Sequence, residues 1–248
     1  MKTLIGYCGK LGSGKAYQMM KEVELLKTTG NTVYLISFAD PIKHILKENF
    51  GLTKEGKIDV RLPEVTEIYV KYKVVDSLFY LLKKLKYEKF DISENDMKAY
   101  IARNYEKYEK EFYGHIKGAI KSKSPADYPY HFRRLGQLLG TELGRHLIDS
   151  IWVDIALNKV KQVFKHDLAD YAFIDDVRFC NEFEAFINFK NQTVFDAYVK
   201  GVVTSDDIRA KRRNMSLEEL KTQDNHASEK DIETIIDNLE KEYIIQND

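Results

Sequence analysis

The residues with the clearest chemical potential form a glycine-rich segment near the N-terminus, Gly6-Tyr-Cys-Gly-Lys-Leu-Gly-Ser-Gly-Lys15. Gly9, Gly14 and Lys15 have the spacing of a phosphate-binding loop, and the segment lies between the apolar Leu4-Ile5 and a helical pattern. Glycines let successive backbone N–H groups turn towards one anion, and the N-terminus of the next helix adds partial positive charge. Lys15 would bring a mobile ammonium group to the β- and γ-phosphates of a nucleotide. We predict a nucleotide phosphate site here; the alternative is a glycine-rich turn that binds nothing.

The position after the lysine departs from this pattern. It usually holds Ser or Thr, whose hydroxyl ligates Mg²⁺, whereas this chain has Ala16 followed by Tyr17. Two interpretations stay open. Either the metal is held through phosphates, water and a carboxylate elsewhere, or the loop is catalytically weakened.

A second group of chemically capable residues follows the apolar run Tyr171-Ala-Phe-Ile174. This run predicts a buried strand, so Asp175 and Asp176 would lie at the carboxyl end of a sheet, where ligand sites of α/β proteins are found. Such a carboxylate can bind Mg²⁺ directly or through water. Our hypothesis is that Asp176, directly or through water, is the principal protein contact to Mg²⁺; a turn with solvated acids is the alternative. Glu182 follows on the next helix.

A third group lies on the segment Tyr130–His146, which has the apolar spacing of one helix. Another face of this helix carries Arg134, Gln137, Thr141 and Arg145. Between the two faces lie three glycines, Gly136, Gly140 and Gly144, which together cost about 3 kcal/mol relative to alanine. Close approach of a ligand or of another backbone would offset that cost. The adjoining arginines favour an anion, and helix–helix packing is the alternative.

Composition excludes several classes of protein. The chain has 248 residues, is 44% hydrophobic and carries a formal net charge of zero, so it can bury a core and lacks the basic excess of a nucleic-acid-coating protein. With two cysteines, neither a disulfide framework nor a cysteine zinc site is expected. The chain also lacks a signal-peptide pattern and any apolar run of about 18 residues. We therefore expect a cytoplasmic protein with no nucleic-acid or membrane partner.

The elements that must position these groups follow from the periodicity. Apolar, β-rich runs predict strands near residues 4, 34, 173, 196 and 244, separated by helices, and hence a parallel sheet of about five strands. Between about 53 and 125, apolar residues recur at helical spacing and indicate two long amphipathic helices inserted between the strands. Ser93, followed three residues later by Asp96, predicts the start of the second of these helices. Their apolar stripes would allow a homodimer.

At this point the sequence resembles the phage-type deoxynucleoside monophosphate kinases among the P-loop kinases. The resemblance rests on six segments in the family's order: the Gly9–Lys15 loop, Phe38-Ala-Asp-Pro-Ile-Lys43, Arg133-Arg-Leu-Gly-Gln-Leu-Leu-Gly-Thr-Glu142, Trp152, Asp176-Val-Arg178 with Glu182, and His226-Ala-Ser-Glu229. The arginine-containing block is more specific than the phosphate loop, which many nucleotide enzymes share. Only the helical insertion is weakly covered.

The resemblance implies one three-layer α/β P-loop domain over residues 1–248, with a helical insertion at about 53–125 and a lid at about 204–216. It implies transfer of the γ-phosphoryl group of ATP, with Mg²⁺, to a deoxynucleoside monophosphate in phage deoxynucleotide supply for DNA synthesis, in the host cytoplasm. The ATP-binding residues would be Lys10, Leu11, Gly12, Ser13, Gly14, Lys15, Ala16 and Tyr17. The monophosphate site would be lined by Asp40, Lys43, Arg61, Arg134, Gly140, Thr141, Trp152, Asp176, Arg178 and Glu182.

Catalytic roles would fall to Lys15, Asp176, and the lid residues Arg209 and Arg212. Such roles make physical sense, because phosphoryl transfer requires two anionic nucleotides to be aligned and their charge neutralised. Trp152 would equally serve as a core aromatic. Two rival functions remain: a nucleotide-binding protein without catalytic activity, which the missing hydroxyl favours, and a kinase for a different small acceptor.

Overall fold

The computed structural model describes residues 1–57, 65–85, 92–122, 127–225 and 227–248. It divides into two compact units. The first comprises Met1–Phe38 and Ala156–Asp248, and the second comprises Ala39–Ile155. The assignment of the whole chain to one domain with an insertion and a lid stays a prediction.

The strands, in chain order, are β1 Thr3–Cys8, β2 Val33–Ile36, β3 Leu52–Thr53, β4 Gly56–Lys57, β5 Tyr171–Val177, β6 Asp196–Val203 and β7 Ile244–Gln246. Five of them form one sheet in the order β2-β5-β1-β6-β7, and every neighbouring pair in it is parallel. The five strands predicted from apolar runs are therefore confirmed. β3 and β4 form a separate antiparallel hairpin that the sequence pattern did not indicate.

The α-helices are α1 Lys15–Thr28, α2 Asp40–Phe50, α3 Glu67–Leu85, α4 Glu94–Tyr105, α5 Glu109–Lys121, α6 Asp127–Gln137, α7 Ile151–Lys165, α8 Cys180–Gln192, α9 Asp206–Arg213, α10 Leu217–Asp224 and α11 Ala227–Asp237. Among these helices, none combines the length and the apolar character that crossing a membrane requires.

In the first unit, helices pack against both faces of the sheet. Successive side chains of a strand point to opposite faces, so each strand has residues that contact both helical layers. On one face, Ile5 of β1 packs with Met19 and Val23 of α1 in a buried cluster. On the other face, a Cβ added to Gly6 would lie 2.6 Å from the ring of Phe186 on α8. Strand β1 is buried at every position, as expected of a parallel strand covered on both sides. The result is the three-layer α/β sandwich expected of a P-loop nucleotide-binding protein.

The second unit contains more helices than the periodicity indicated. The first predicted helix corresponds to α3, but the second is divided into α4 and α5, with a break at residues 106–108. The predicted start is confirmed, since Ser93 is the N-cap of α4 and its hydroxyl accepts a hydrogen bond from the backbone N–H of Asp96. Apolar spacing continues through the break, so it does not reveal that the helix ends there.

The helix predicted for Tyr130–His146 changes its hydrogen-bonding pattern halfway. α6 ends at Gln137, and Leu138–Arg145 continues as a π-helical segment. In a π-helix the N–H of each residue bonds five residues back, so each turn holds more residues than in an α-helix, and such segments are frequent at functional sites. Residues spaced for one face of an α-helix are consequently realigned beyond Gln137.

Candidate functional site

The phosphate loop connects β1 to α1 at the carboxyl end of the sheet's central strand. β1 pairs with β5 on one side and with β6 on the other. The loop therefore lies at the carboxyl end of the sheet, near the point where the strand order reverses, which is the usual ligand position in α/β proteins. The N–H of Ser13 donates to the carbonyl of Lys10 at 3.0 Å. Gly14 is the N-cap of α1 with φ of 84°, a left-handed conformation that a side chain would strain.

Lys15 is the first residue of α1, and its ammonium group donates to the carbonyl of Gly9 at 3.1 Å. Burial, assisted by the nearby Arg178, lowers the pKa of Lys15 to about 8, against the opposing influence of Glu229, Asp175 and Asp176. The ammonium group therefore lies in a partly desolvated place surrounded by both signs of charge. An arriving phosphate would stabilise its protonated form.

A bulge in β5 presents the two aspartates. Gly6 of β1 pairs with Ile174, whereas Cys8 pairs with Val177. Asp175 and Asp176 of β5 therefore together oppose a single residue of β1, Tyr7. The carboxylate of Asp176 accepts from the Ser37 hydroxyl at 2.7 Å and from the Phe38 N–H at 2.8 Å. It therefore fixes the end of β2.

The donor set at this bulge fits Mg²⁺ in the way nucleotide enzymes use it. Mg²⁺ keeps several waters and takes one or two carboxylates plus substrate phosphates, rather than a complete protein cage. Among the described residues, no group of three or more His, Cys, Asp or Glu side chains forms such a cage. Asp175 and Asp176 supply two carboxylates at one bulge, so they are the residues that would hold the ion directly or through water.

Arg178 and Glu229 pair beside Lys15. Nη1 of Arg178 lies 3.2 Å from one carboxylate oxygen of Glu229, and the other oxygen accepts from the backbone N–H of Leu11 at 2.9 Å. Glu229 is buried, so this carboxylate joins α11, the phosphate loop and the Arg178 guanidinium. Glu182 has a local role in the structure, since its buried carboxylate accepts from the N–H groups of Arg178 and Phe179 at the start of α8.

The basic segment predicted as a lid forms α9, and its arginines differ in environment. Arg209 is only 1% exposed. Its guanidinium forms two hydrogen bonds with Asp224 of α10, at 2.9 and 2.7 Å, one with Asp206, and one with the carbonyl of Leu11. The structure therefore has Arg209 buried and paired, and the catalytic lid role that the resemblance implied for it stays a prediction.

Arg212 and Arg213 lie on the outer part of α9. Arg212 donates to the carbonyls of Ser13 and Asn247, at 3.3 and 2.9 Å. Arg213 is exposed, and its Cγ would lie 3.2 Å from a Cβ added to Gly12. Arg212 is also exposed, and its Nη1 would lie 3.4 Å from a Cβ added to Gly14, so both exposed arginines approach a glycine of the loop.

The remaining ATP-binding candidates surround the loop. Ala16 and Tyr17 are exposed on the first turn of α1. Lys10 forms ion pairs with Glu233 and, at 3.6 Å, with Asp224. A loop cation held in this way anchors the segment and is screened from an incoming anion.

In the second unit, the acceptor-site candidates form two groups. Asp40 and Lys43 form an exposed ion pair of 2.9 Å on the first turn of α2. Arg134 on α6 is held between two carboxylates: Nε lies 2.7 Å from Glu111 and Nη1 lies 2.6 Å from Glu142. Arg61 lies outside the described residues.

The three glycines of the predicted helix have different surroundings. A Cβ on Gly140 would lie 2.8 Å from Cδ1 of Ile42, and one on Gly144 would lie 2.2 Å from Cζ2 of Trp152, whereas Gly136 has open space around it. Packing therefore explains Gly140 and Gly144, and only Gly136 leaves room for a ligand. Trp152 is 2% exposed and its indole N–H donates to the carbonyl of Gly140 at 2.8 Å, so it is a core aromatic. Thr141, which follows Gly140 in the chain, is exposed.

Some residues of this site carry no motif by which sequence reasoning would find them. Ser37 contributes a hydroxyl just beyond β2 and Asn247 contributes polar groups just beyond β7, and such a position is recognisable only when its partner is known. Glu229 belongs to the segment His226-Ala-Ser-Glu229, but no local signal indicates its hydrogen bond to the N–H of Leu11, 218 positions away.

Comparison with known proteins agrees with the motifs. No family model matches the chain. The deoxynucleoside-5'-monophosphate kinase of Escherichia phage T5 is 26% identical over 211 residues, which cover 83% of this chain and 80% of that protein. A crystal structure of a Thermus thermophilus protein aligns with all of this chain and 89% of its own, at 14% identity, but its TM-score of 0.38 is too low to bear on the fold. Over most of its length, the chain is therefore similar to a phage deoxynucleoside monophosphate kinase.

Proposed function

We propose that the chain transfers the γ-phosphoryl group of ATP to a deoxynucleoside 5'-monophosphate, yielding the diphosphate and ADP, in phage deoxynucleotide supply. The observation that carries the proposal is the grouping of Lys15, Arg178 and the Asp175–Asp176 pair beside a glycine loop at the end of β1. The similarity to the phage T5 kinase supports a nucleotide kinase in general.

On the donor side, the loop N–H groups and Lys15 bind the β- and γ-phosphates, and Arg213 adds charge from α9. Lys15 leaves its bond to the Gly9 carbonyl and turns to the phosphate, which is a stronger acceptor because it is charged. Asp176, with Asp175 beside it, would hold Mg²⁺ directly or through water. When bound, Mg²⁺ neutralises charge on the phosphate oxygens.

On the acceptor side, Arg134 binds the monophosphate, with Asp40, Lys43, Arg61, Thr141 and Arg178 as further candidates. Arg134 suits this role because a guanidinium forms paired hydrogen bonds with phosphate oxygens. Trp152, Gly140 and Glu182 support the site through packing and helix capping, as their contacts suggest. The buried Arg209 positions the loop through the Leu11 carbonyl, and Arg212 does so through Ser13.

A substrate panel tests this proposal. ADP release is measured by a coupled assay with ATP, Mg²⁺ and, in turn, dAMP, dCMP, dGMP, dTMP and hydroxymethylated dCMP. Stimulation by at least one deoxynucleotide is expected. If none stimulates ADP release while a different small phosphate acceptor does, the acceptor class is wrong and the kinase is of another kind.

The second candidate is a nucleotide-binding protein without phosphoryl transfer. It is favoured by Ala16, which lacks the usual metal-binding hydroxyl, and by the two hydrogen bonds that Asp176 already accepts. Calorimetry separates the two functions, since the second candidate binds ATP yet gives no ADP with any acceptor of the panel.

A further inference from the structure

One carbonyl of the phosphate loop is bonded by three separate side chains. The oxygen of Ser13 accepts from Nδ2 of Asn247 at 2.7 Å, from the hydroxyl of Thr204 at 2.9 Å and from Nη1 of Arg212 at 3.3 Å. These donors come from the end of the chain, the end of β6 and the helix α9. A carbonyl has two lone pairs, so three donors occupy it fully.

The donor that lies closest to this oxygen, the amide of Asn247, is itself held in place. Nε2 of Gln18, on α1, donates to Oδ1 of Asn247 at 2.6 Å. The backbone N–H of Asn247 donates to the carbonyl of Val203, and the carbonyl of Asn247 accepts from Arg212. Because the Ser13 oxygen can only accept, the amide of Asn247 has one workable orientation, with its nitrogen towards the loop.

Fixing this oxygen also fixes the neighbouring N–H. The Ser13–Gly14 peptide is planar and trans, so the N–H of Gly14 points opposite to the Ser13 carbonyl. Donors on the oxygen also polarise the peptide and strengthen its N–H as a donor. Gly14 is the N-cap of α1 and directly precedes Lys15, so its N–H belongs to the set that faces a bound phosphate.

We propose that Asn247 is a positioning residue of the nucleotide site, which holds the Ser13–Gly14 peptide so that the Gly14 N–H faces the phosphates. Thr204 acts with it on the same oxygen. This inference rests on the proposed nucleotide binding, and it adds a residue that no motif of the chain indicates. Asn247 does not touch the nucleotide; it acts through the peptide.

The alternative is that Asn247 only anchors the last residues to the sheet. The two roles differ in which ligand they affect. If Asn247 positions the peptide, its loss weakens the binding of ATP and of triphosphate and leaves the KM for the acceptor unchanged. If Asn247 is only an anchor, its loss lowers thermal stability alone.

The experiment compares wild-type protein with Asn247→Ala, Asn247→Asp and Thr204→Val. The matched control is Asn238→Ala, because Asn238 also donates its amide to a backbone carbonyl, that of Thr234, at an exposed helix end. Calorimetry with ATP and with inorganic triphosphate measures phosphate binding, and kinetics give KM for ATP and for the acceptor separately.

Asn247→Ala and Thr204→Val should each weaken triphosphate and ATP binding by about 3- to 10-fold, the range expected for one neutral hydrogen bond. Asn247→Asp should weaken them further, because it places a carboxylate against the Ser13 oxygen. KM for the acceptor should stay unchanged, and Asn238→Ala should match the wild type. Unchanged triphosphate affinity in folded Asn247→Ala and Thr204→Val would overturn the inference.

A measurement on the free protein separates this inference from the proposed function. The ¹H and ¹⁵N chemical shifts of the Gly14 amide should move in Asn247→Ala and stay in place in Asn238→Ala. If the wild-type protein binds no ATP but the Gly14 amide responds, the peptide is held as described and nucleotide binding is what fails. If the amide does not respond, the positioning role is wrong whatever the activity.

Discussion

Nη1 of Arg134 lies 2.6 Å from Oε1 of Glu142, eight residues further along the chain. In a continuous α-helix, residues eight apart lie about 80° apart around the axis, because each turn holds 3.6 residues. The π-helical segment from Leu138 adds residues to each turn and brings Glu142 closer to the line of Arg134. Glu111 pairs with the same guanidinium from α5, so the proposed acceptor-binding cation meets two carboxylates in the free protein.

We predict that Glu142→Gln lowers KM for the acceptor monophosphate by about 2- to 5-fold, since one competing carboxylate on Arg134 is removed. KM for ATP should not change. Steady-state kinetics on the best acceptor of the panel measure both constants. Glu111→Gln should act in the same direction, and Arg134→Met should raise the acceptor KM. A rise in acceptor KM for both glutamine variants would mean that the carboxylates orient Arg134 for binding.

Asp176→Asn should reduce kcat on the order of 100-fold while changing ATP affinity much less, because a carboxylate that holds Mg²⁺ acts mainly in the transition state. Kinetics and calorimetry on the same variant test the difference. The matched control is Ser37→Ala, which removes the 2.7 Å hydrogen bond to Asp176 but keeps the carboxylate. Equal and modest losses of kcat and affinity in Asp176→Asn would show that the residue serves β2 alone.

ATP binding above pH 8 should take up a proton at Lys15. Burial lowers the pKa of this ammonium group to about 8, so it is largely neutral in the free protein at pH 8.5, and phosphates favour its charged form. Calorimetry in two buffers of different ionisation enthalpy should give about half a proton or more per ATP. Lys15→Arg is the control, because arginine stays charged; identical proton uptake in this variant would assign the proton to another group.

The lowered pKa of Lys15 also determines how its contribution to the free energy of unfolding depends on pH. Between about pH 8 and the ordinary lysine range, the unfolded chain holds a proton on Lys15 that the folded chain has released. The contribution of this group to the free energy of unfolding therefore rises with pH across that window and is flat below it. Urea unfolding of wild type and Lys15→Met, compared at pH 7 and pH 9.5, should show the wild type gaining relative to the variant.

Gly144→Ala and Gly136→Ala should change thermal stability in opposite directions. A methyl group on Gly144 would lie 2.2 Å from the Trp152 indole and 2.8 Å from the Leu139 carbonyl, so about 2 kcal/mol or more of stability should be lost. Gly136 has open space, and alanine there should stabilise α6 by about 0.5 to 1 kcal/mol. Thermal unfolding followed by circular dichroism measures both. A destabilised Gly136→Ala would show that a side chain at this position meets a neighbour.

Local sequence signals were enough for the sheet and the loop. Five apolar runs predicted the strands, and Gly9, Gly14 and Lys15 predicted a loop whose backbone does use a left-handed glycine. The break between α4 and α5 was missed because apolar spacing continues through it. The π-helical segment was missed because α- and π-helices differ in hydrogen-bond register and not in composition.

Contacts distant in sequence were beyond reach for a related reason. The resemblance implied a lid role for Arg209, and no sequence signal showed that its charge is compensated by Asp224, 15 positions away. Trp152 had two interpretations of equal merit, and its burial, its hydrogen bond to Gly140 and the position of Gly144 against its ring favour the core. In both cases the residue type indicated a possible role, but the sequence did not reveal which distant residue it contacts.

The buried Arg209 has a mechanical consequence. Its guanidinium joins α9, α10 and the Leu11 carbonyl, and separating these groups would leave an uncompensated charge out of water. We therefore expect α9 and α10 to stay attached to the glycine loop, so that a fluorophore placed on either helix reports the same displacement.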